Sequence, residues 1–410
     1  MIADYQRQNL FILIGTNPLP NYVAVRLLLR EDGHVYLVHS NDVNDVADNL
    51  LKTLGMDQDT ARYTKVPVDE SDSYNIYTQV QKFAEGKTSL GLHYTGGTKS
   101  MSVHAYRALL DRDKSTSFSY LNARDLSLVI DRPELDPVSI PVALEVNVSI
   151  EDLLGLHGYY LRSEPSHEPD HFDFAQTLIQ TNPEAFRAWC NQNLRNEKGN
   201  FRPKRDLETI DLNNLHALFA DPAVWNPYKT LGDLNKAWGK RLNQIESYTA
   251  KWIDGKWLED YVLGCINEIS DDCQVRETCI SIEPNKGSSS VIRDFEIDVI
   301  AMRGYQLFAL SCSTGTGKSF LKHKLFEAYI RARQMGGDEA KVALVCRAPS
   351  KTAPSDANSE LIKKHADNCP ERIQMEIEEK WDVKGKKVVV FGEEHLADLK
   401  NHLTAWFKFQ

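Results

Sequence analysis

No run in this chain approaches the roughly 20 consecutive apolar residues that a membrane-spanning helix needs. Its first residues, Met1 to Asn9, are polar where a secretory leader has its apolar core. Both absences predict a cytoplasmic protein with no membrane partner. Cysteine is sparse and unpaired: seven residues, an odd number, with no C-x-x-C among them. That predicts reduced thiols and argues against a zinc ribbon or a disulfide framework. Excess positive charge is lacking too. Lysine and arginine number 48 against 58 acidic residues, a formal net charge of −10, so this is not a chain that coats nucleic acid. Any polynucleotide would have to be held by a local basic patch.

What the chain has is length and alternation. Its 410 residues suffice for two or three cores, and 42% hydrophobic with 26% charged residues is ordinary for a globular protein. Up to about residue 145, strand and helix patterns alternate. Leu10–Gly15, His34–His39, Tyr63–Val68 and the segment ending at Tyr94 read as strands. Asn21–Arg30, the stripe of Val43, Val46, Leu50 and Leu54, the stripe of Tyr74, Tyr77, Val80 and Phe83, and the segment after Gly97 read as helices. Phe118–Asn122 and Leu126–Ile130 look like a closing hairpin. The pattern predicts a mostly parallel, doubly wound α/β sheet with ligands at the carboxyl ends of its strands.

The stretch Tyr94-Thr95-Gly96-Gly97-Thr98-Lys99-Ser100-Met101 lies at such an end. Two glycines between strand and helix allow close backbone approach to a ligand, and the helix start at Thr98 and Lys99 favours an anion. It is neither G-x-G-x-x-G nor Walker A, and a plain tight turn is the alternative. Its wording resembles the signature of CARF domains, the CRISPR-associated Rossmann-like sensors of cyclic oligoadenylate. Gly15-Thr16-Asn17-Pro18-Leu19-Pro20-Asn21 follows the first strand as the other ligand-contacting loop of such domains does. The resemblance implies a site lined by Thr16, Asn17, Gly96, Gly97, Thr98 and Lys99. It also implies a cyclic oligoadenylate ligand, cyclic tetra-adenylate being favoured, bound across a homodimer that offers each loop twice.

From Arg132 to about Ser247 the pattern changes. Pro133, Pro137 and Pro141 mark a connection, Arg162–Asp173 a polar loop, and Phe174–Cys190 and Tyr228–Ile245 helices. Asn193–Asp206 looks like an exposed basic loop. No repeat and no catalytic motif stands out. His157, His167, His171 and His216 read as surface or capping residues. The expected division is a sensor over 1–145, a helical linker over 146–250 and a third domain over 251–410.

That third domain opens with a wide apolar helical stripe from Trp257 to Ile269, with Glu259 on its margin. Strands follow over Glu277–Glu283, Phe295–Ile300 and Tyr305–Ser313, with a Gly-Ser loop at Gly287–Ser290. The alternation of the second strand places Glu296 and Asp298 on one face. A helix over Lys318–Gln334, strands Lys341–Cys346 and Lys387–Phe391, and a helix over Glu393–Phe407 complete it.

This layout resembles the PD-(D/E)XK nuclease core, and Gly255-Lys256-Trp257-Leu258-Glu259 and Ile297-Asp298 resemble the CARF-fused nucleases of type III CRISPR defence. The resemblance implies that Glu259 and Asp298 bind Mg²⁺ or Mn²⁺ and that DNA or RNA is hydrolysed under control of the ligand. The family's Glu-x-Lys, however, reads Ser311-Cys312-Ser313 here. A relocated lysine is sought in Lys318 or Lys322, one turn apart on the next helix; otherwise the core is a silent scaffold. Two further alternatives stay open: a ring nuclease that cuts cyclic oligoadenylate with Lys99 or Thr98, and a non-catalytic sensor. Gly315-Thr316-Gly317-Lys318-Ser319 ends like a Walker A, but its first glycine position is Cys312 and no acid-bearing strand follows clearly, which disfavours an NTPase.

Overall fold

The computed structural model describes residues 2–132, 135–161, 164–238, 248–286, 295–353, 357–381 and 387–409. The expected Gly287–Ser290 loop, Pro133 and the far end of the Tyr228–Ile245 helix lie outside them.

The N-terminal sheet contains β1 (Arg7–Leu13), β2 (Leu29–His39), β3 (Tyr63–Pro67), β4 (Leu90–His93), β5 (Ser117–Asn122), β6 (Ser127–Arg132) and β7 (Leu135–Pro141). Its order is β3-β2-β1-β4-β5-β6-β7, parallel from β3 to β5 and antiparallel beyond. Helices α1 (Leu19–Leu28), α2 (Asn44–Thr53), α3 (Ser73–Ala84) and α4 (Lys99–Arg112) make the crossovers. Strand alternation splits the packing. Phe11, Leu13, Val38 and Leu92 face Ile76, Val80, Met101 and Ala105 on one side. Leu10, Ile12 and Leu37 face Val23 and Leu50 on the other.

β7 corrects the expectation of a proline-marked connection. It pairs with β6 through Leu128↔Ile140 and Ile130↔Val138, and it is the outermost strand of the sheet. An edge strand needs donors on one side only, which is where proline is tolerated.

The central region forms α5 (Ile150–Leu156), β8 (Tyr159–Leu161), α6 (Phe172–Leu178), α7 (Pro183–Leu194), α8 (Lys204–Glu208), α9 (Asn213–His216), α10 (Leu231–Trp238) and α11 (Tyr248–Lys251). The expected Phe174–Cys190 helix is two helices, because Asn182 caps α7 through Glu184 N and Ala185 N and Pro183 starts it. Of the expected Tyr228–Ile245 helix, the described part is α10. His157 caps the end of α5 and its Nε2 lies 2.8 Å from Met335 O.

The second large sheet, β14-β13-β12-β11-β9, comprises β9 (Glu277–Ile282), β11 (Ile297–Arg303), β12 (Gln306–Ser313), β13 (Lys341–Cys346) and β14 (Val388–Phe391); the short β10 (Pro284–Lys286) pairs with β8. β11 runs antiparallel to both of its neighbours, β9 and β12, and β12 to β14 are parallel. α12 (Trp257–Cys273) and α17 (Leu399–Lys408) cover one face, in a core shared with α6 to α10. α13 (Lys318–Gly336) covers the other, with α14 (Ser359–Asn368), α15 (Pro370–Trp381) and α16 (Glu393–Leu396) at the margin.

The core under α13 is continuous with the face of the first sheet that α1 and α2 cover. Val148 N donates to Gly304 O at 3.0 Å, and Ile150 N to Glu277 Oε2 at 2.8 Å, across the same boundary. Among the described residues, no helix is long and apolar enough to cross a membrane, and all seven cysteines are free and buried.

Candidate functional site

β1 and β4 are parallel neighbours, registered from Asn9↔Leu90 to Ile12↔His93, so the loops after them emerge side by side. They touch backbone to backbone. A Cβ on Gly96 would lie 2.1 Å from Leu13 O, and one on Gly15 would lie 2.9 Å from Gly97 N. Gly97 has φ +74°, in the left-handed region. Asn21 Nδ2 donates to that same Leu13 carbonyl at 3.0 Å, which ties α1 beneath the loops.

Thr98 is the N-cap of α4, its hydroxyl accepting from Met101 N at 3.2 Å while its own hydrogen stays available to donate. Lys99 is the first residue of α4 and is exposed, as is Thr16. Asn17 Oδ1 accepts from Leu19 N at 3.1 Å, and its amide nitrogen lies against Gly337, where a Cβ would meet it at 2.2 Å. All six expected ligand residues therefore fall on two touching loops. Below them His93 is fully buried, with Nδ1 3.1 Å from Ser119 Oγ, and burial pushes its imidazole down to about 3, so it stays neutral.

In the second sheet Asp298, at the start of β11, reaches across to β12. Its Oδ2 accepts from Ser311 Oγ at 3.0 Å and from Cys312 N at 2.7 Å. Glu259, in the first turn of α12, accepts from Ser281 Oγ at 2.7 Å. A single π-helical turn, Trp252–Lys256, precedes α12 and carries Asp254 and Lys256 to the same place. Such turns recur at functional sites because they re-aim side chains without ending the helix. Asp254, Lys256, Glu259, Glu296, Asp298 and Lys324 line one cavity of about 350 Å³. Burial, reinforced by the charges of Asp298 and Glu296 and opposed by Lys256, pushes Glu259 up to about 7.

Lys318 and Lys322 are not brought there. Both bond Glu376 on α15, Lys322 at 2.9 Å, and together they hold that carboxyl down at about 2. Lys324 of α13 does line the carboxylate cavity, as do Lys251 and Lys256 from the segment before α12. At 100° per residue, Lys322 and Lys324 flank opposite sides of the buried stripe of Leu321 and Leu325. That stripe was the available signal, but it separates the two flanks without saying which looks toward β11. Sequence reasoning chose the other flank because nothing pointed to α15 as its partner.

Among the described residues no group of three or more His, Cys, Asp or Glu is gathered as a metal cage. A hydrated Mg²⁺-type ion needs only one or two carboxylates, and Glu259 with Asp298 supplies those. Both carboxylates line one cavity beside Glu296, so the donor set fits such a hydrated ion. The Walker-like segment departs from a phosphate-binding loop. Cys312 and Ser313 still belong to β12, and Lys318 turns to Glu376.

No protein-family model matches the chain, and no curated protein matches it. Solved structures do. Protein VC1899 from Vibrio cholerae is similar over 98% of both chains, with TM-score 0.66 at 16% identity. Can2 from Sulfobacillus thermosulfidooxidans, solved with cyclic tetra-adenylate, is similar over 100% of both, with TM-score 0.62 at 15% identity. A type III CRISPR defence DNA nuclease activated by cyclic oligoadenylate is similar over 86% of this chain and 47% of its own, with TM-score 0.50 at 17% identity. At such identities the likeness is one of fold: along its whole length this chain has the mixed α/β architecture of VC1899 and Can2, which is the architecture the CARF–nuclease resemblance predicts.

Proposed function

We propose that the protein is a cyclic-oligoadenylate-binding effector of type III CRISPR defence. Ligand bound across a dimer of N-terminal lobes controls a PD-(D/E)XK-like nuclease centre in the second. One observation carries the reading. A chain with the full-length fold of a protein solved with cyclic tetra-adenylate packs two glycine loops together at the ends of β1 and β4 and leaves Thr16 and Lys99 exposed on them. A ring with a repeated phosphate suits a two-fold site that offers each loop twice.

In the nuclease centre Glu259 and Asp298 would hold the divalent ion. When bound, that ion supplies positive charge at the phosphoryl oxygens and lowers the pKa of water. Ser311 and Cys312 N fix the Asp298 carboxylate in one orientation. Lys324, in the wall of the same cavity, would supply counter-charge to the negative charge that develops on the phosphoryl oxygens. With that ion bound Glu259 would be an ionised ligand held by Ser281, and the attacking water's proton would pass to solvent. Water adds to phosphorus, one P–O ester bond breaks, and the leaving oxygen collects a proton. Cyclic tetra-adenylate as activator, Mg²⁺ or Mn²⁺ as cofactor, DNA or RNA as substrate and the homodimer all belong to this reading.

A second reading, a sensor whose nuclease fold is silent, draws on Ser311, which donates to Asp298 where the family carries a glutamate. One assay separates the two. Purified protein is incubated with labelled cyclic tetra- and hexa-adenylate, plasmid and RNA, with and without Mn²⁺. Metal- and activator-dependent cleavage supports the effector. Ligand binding with intact nucleic acid leaves the silent sensor, and loss of the ring itself marks a ring nuclease.

A further inference from the structure

Between α7 and the segment leading into α13 lies another cavity, of about 340 Å³, that the reaction above does not use. Arg187, Asn191, Arg195, Asp254, Thr314 and Gly315 are among its walls. Arg187 reaches it from the middle of α7, donating to Thr316 Oγ1 at 2.7 Å and Thr314 O at 2.8 Å. Two of the guanidinium's five N–H groups are thereby accounted for. Arg195 pairs with Asp254, and Arg347 on the floor pairs with Glu393. Three arginines thus meet two acids, and the positive charge left over is that of Arg187.

Two ligand chemistries compete for an arginine cleft beside a Gly-Thr-Gly-Lys turn. A nucleoside triphosphate needs a loop that wraps it and a lysine over its phosphates, but Cys312 and Ser313 are locked in β12 and Lys318 is bonded to Glu376. A polynucleotide needs neither. Its phosphates come in series, so a strand with one phosphate at the carboxylates must lay a neighbouring one beside them. The cleft is beside them: Asp254 and Thr314 line both cavities. A guanidinium in the wall of the cleft is the fitting donor, because its planar fork matches phosphate oxygens. With a formal net charge of −10, the chain requires such a local patch to hold a polyanion at all.

We infer that the cleft between α7 and the 314–317 segment binds the phosphodiester backbone of a nucleic acid strand next to the phosphate at Asp298 and Glu259, with Arg187 as the principal contact. The inference rests on reading the carboxylate cavity as the nuclease centre. It assigns a role to Arg187 and to the Walker-like segment, neither of which the sensor or the carboxylates employ.

The test uses the full-length Asp298→Ala protein with cyclic tetra-adenylate and fluorescein-labelled single-stranded DNA, duplex DNA and RNA. Anisotropy is followed from about 50 to 200 mM salt. Arg187→Gln in that background should weaken binding about tenfold, alike for different sequences, and reduce the salt slope by about 1. Arg187 also steadies the backbone of residues 314–316, so the exposed rim residue Asn191 provides an independent handle. Asn191→Arg should tighten binding and steepen the slope, and Asn191→Glu should weaken it. If Arg187→Gln and Asn191→Glu both bind like the parent, or no strand binds at all, the inference is overturned. A fluorescent ATP analogue that binds through Arg187 overturns it as well, in favour of a nucleotide site. If the Arg187 dependence holds but the wild type cuts nothing with Mn²⁺, the cleft survives and the nuclease reading falls. Cleavage by wild type with binding indifferent to both positions has the opposite consequence.

Discussion

At the ends of β1 and β4 the N-terminal lobe presses backbone against backbone: Gly96 against Leu13 O and Gly15 against Gly97 N. At β11 and β12 the C-terminal lobe gathers side chains from elements far apart in sequence: Glu259 from α12, Asp298 from β11 and Lys324 from α13. The first arrangement is fixed by what must be missing, a Cβ, and leaves a contiguous trace. The second is fixed by where side chains converge, and its members can move from one element to another while the cavity keeps its chemistry. Ser311 and Ser313 stand where the resemblance requires Glu-x-Lys, yet a lysine still lines the pocket from the neighbouring helix. A lost motif is therefore weak evidence of a lost site wherever the site is made of side chains.

The comparison breaks first at Asp298. If convergence, not motif, makes the nuclease centre, Asp298→Ala should reduce activator-dependent cleavage by at least about 10³-fold. Ring binding, which depends on the other lobe, should be unaffected. A plasmid-nicking assay with Mn²⁺ and a parallel titration with cyclic tetra-adenylate measure the two. Cleavage that survives the substitution would place the hydrolysis elsewhere.

Relocation of the lysine is tested by setting the two flanks of α13 against each other. Lys324→Ala should lower the cleavage rate by about 10²–10⁴ without loss of fold. Lys318→Ala and Lys322→Ala should leave the rate within a few-fold and cost about 0.5–1 kcal/mol through the part-buried pair with Glu376. Single-turnover rates and thermal melts of the three variants decide it. Equal rate losses in all three would mean that α13 acts only as scaffold.

How much of this was legible differs between the lobes for the same reason. Both glycine loops and the order of the first four strand–helix units could be read from the chain, because backbone turns and apolar alternation are local. β7 was misread because Pro137 and Pro141 argue against a strand unless the strand is known to be an edge. Lys324 was missed because helical spacing shows which residues share a face but not what that face meets. α15, whose Glu376 captures Lys318 and Lys322, had no place in the expected layout. Arg187 lies more than a hundred residues from the turn it holds, and no spacing rule connects them.

The backbone site predicts an effect of its own. Gly96→Ala brings a Cβ to 2.1 Å from Leu13 O, where neither strand end can yield cheaply. It should cost about 2–4 kcal/mol of stability and abolish ring binding. Lys99→Ala, at an exposed helix start, should leave melting unchanged. It should lose charge-assisted bonds to phosphate worth about 1.5–3 kcal/mol each. Calorimetric titration should show one ring per dimer for the wild type. Undiminished binding by Lys99→Ala would sever the loop from the ligand.

A pH-dependent effect concerns Glu259, and its sign follows from the direction of its shift. The carboxyl rises from an ordinary 4.5 to about 7 in the folded protein. Between those values the folded state binds more protons than the unfolded one. Stability is therefore fullest below about pH 4.5, falls as pH rises toward 7, and levels off above. Relaxation around a group that borders an open cavity takes up part of the penalty, so the fall from this residue should be about 1–2 kcal/mol. Glu259→Gln removes the titrating group and should flatten the melting-temperature profile over that window. A divalent ion needs the ionised carboxylate and must displace its proton below neutrality. The stabilisation that Mn²⁺ confers should accordingly be slight at pH 5, grow through pH 7 and be much reduced in Glu259→Gln. Melting curves from pH 5 to 8 with and without Mn²⁺ measure all of this without requiring turnover. If wild type and Glu259→Gln run parallel across the range, with Mn²⁺ adding the same increment to each at every pH, the cavity does not bind a cation through Glu259. Its role in the convergent site would then pass to Asp298 and Glu296 alone.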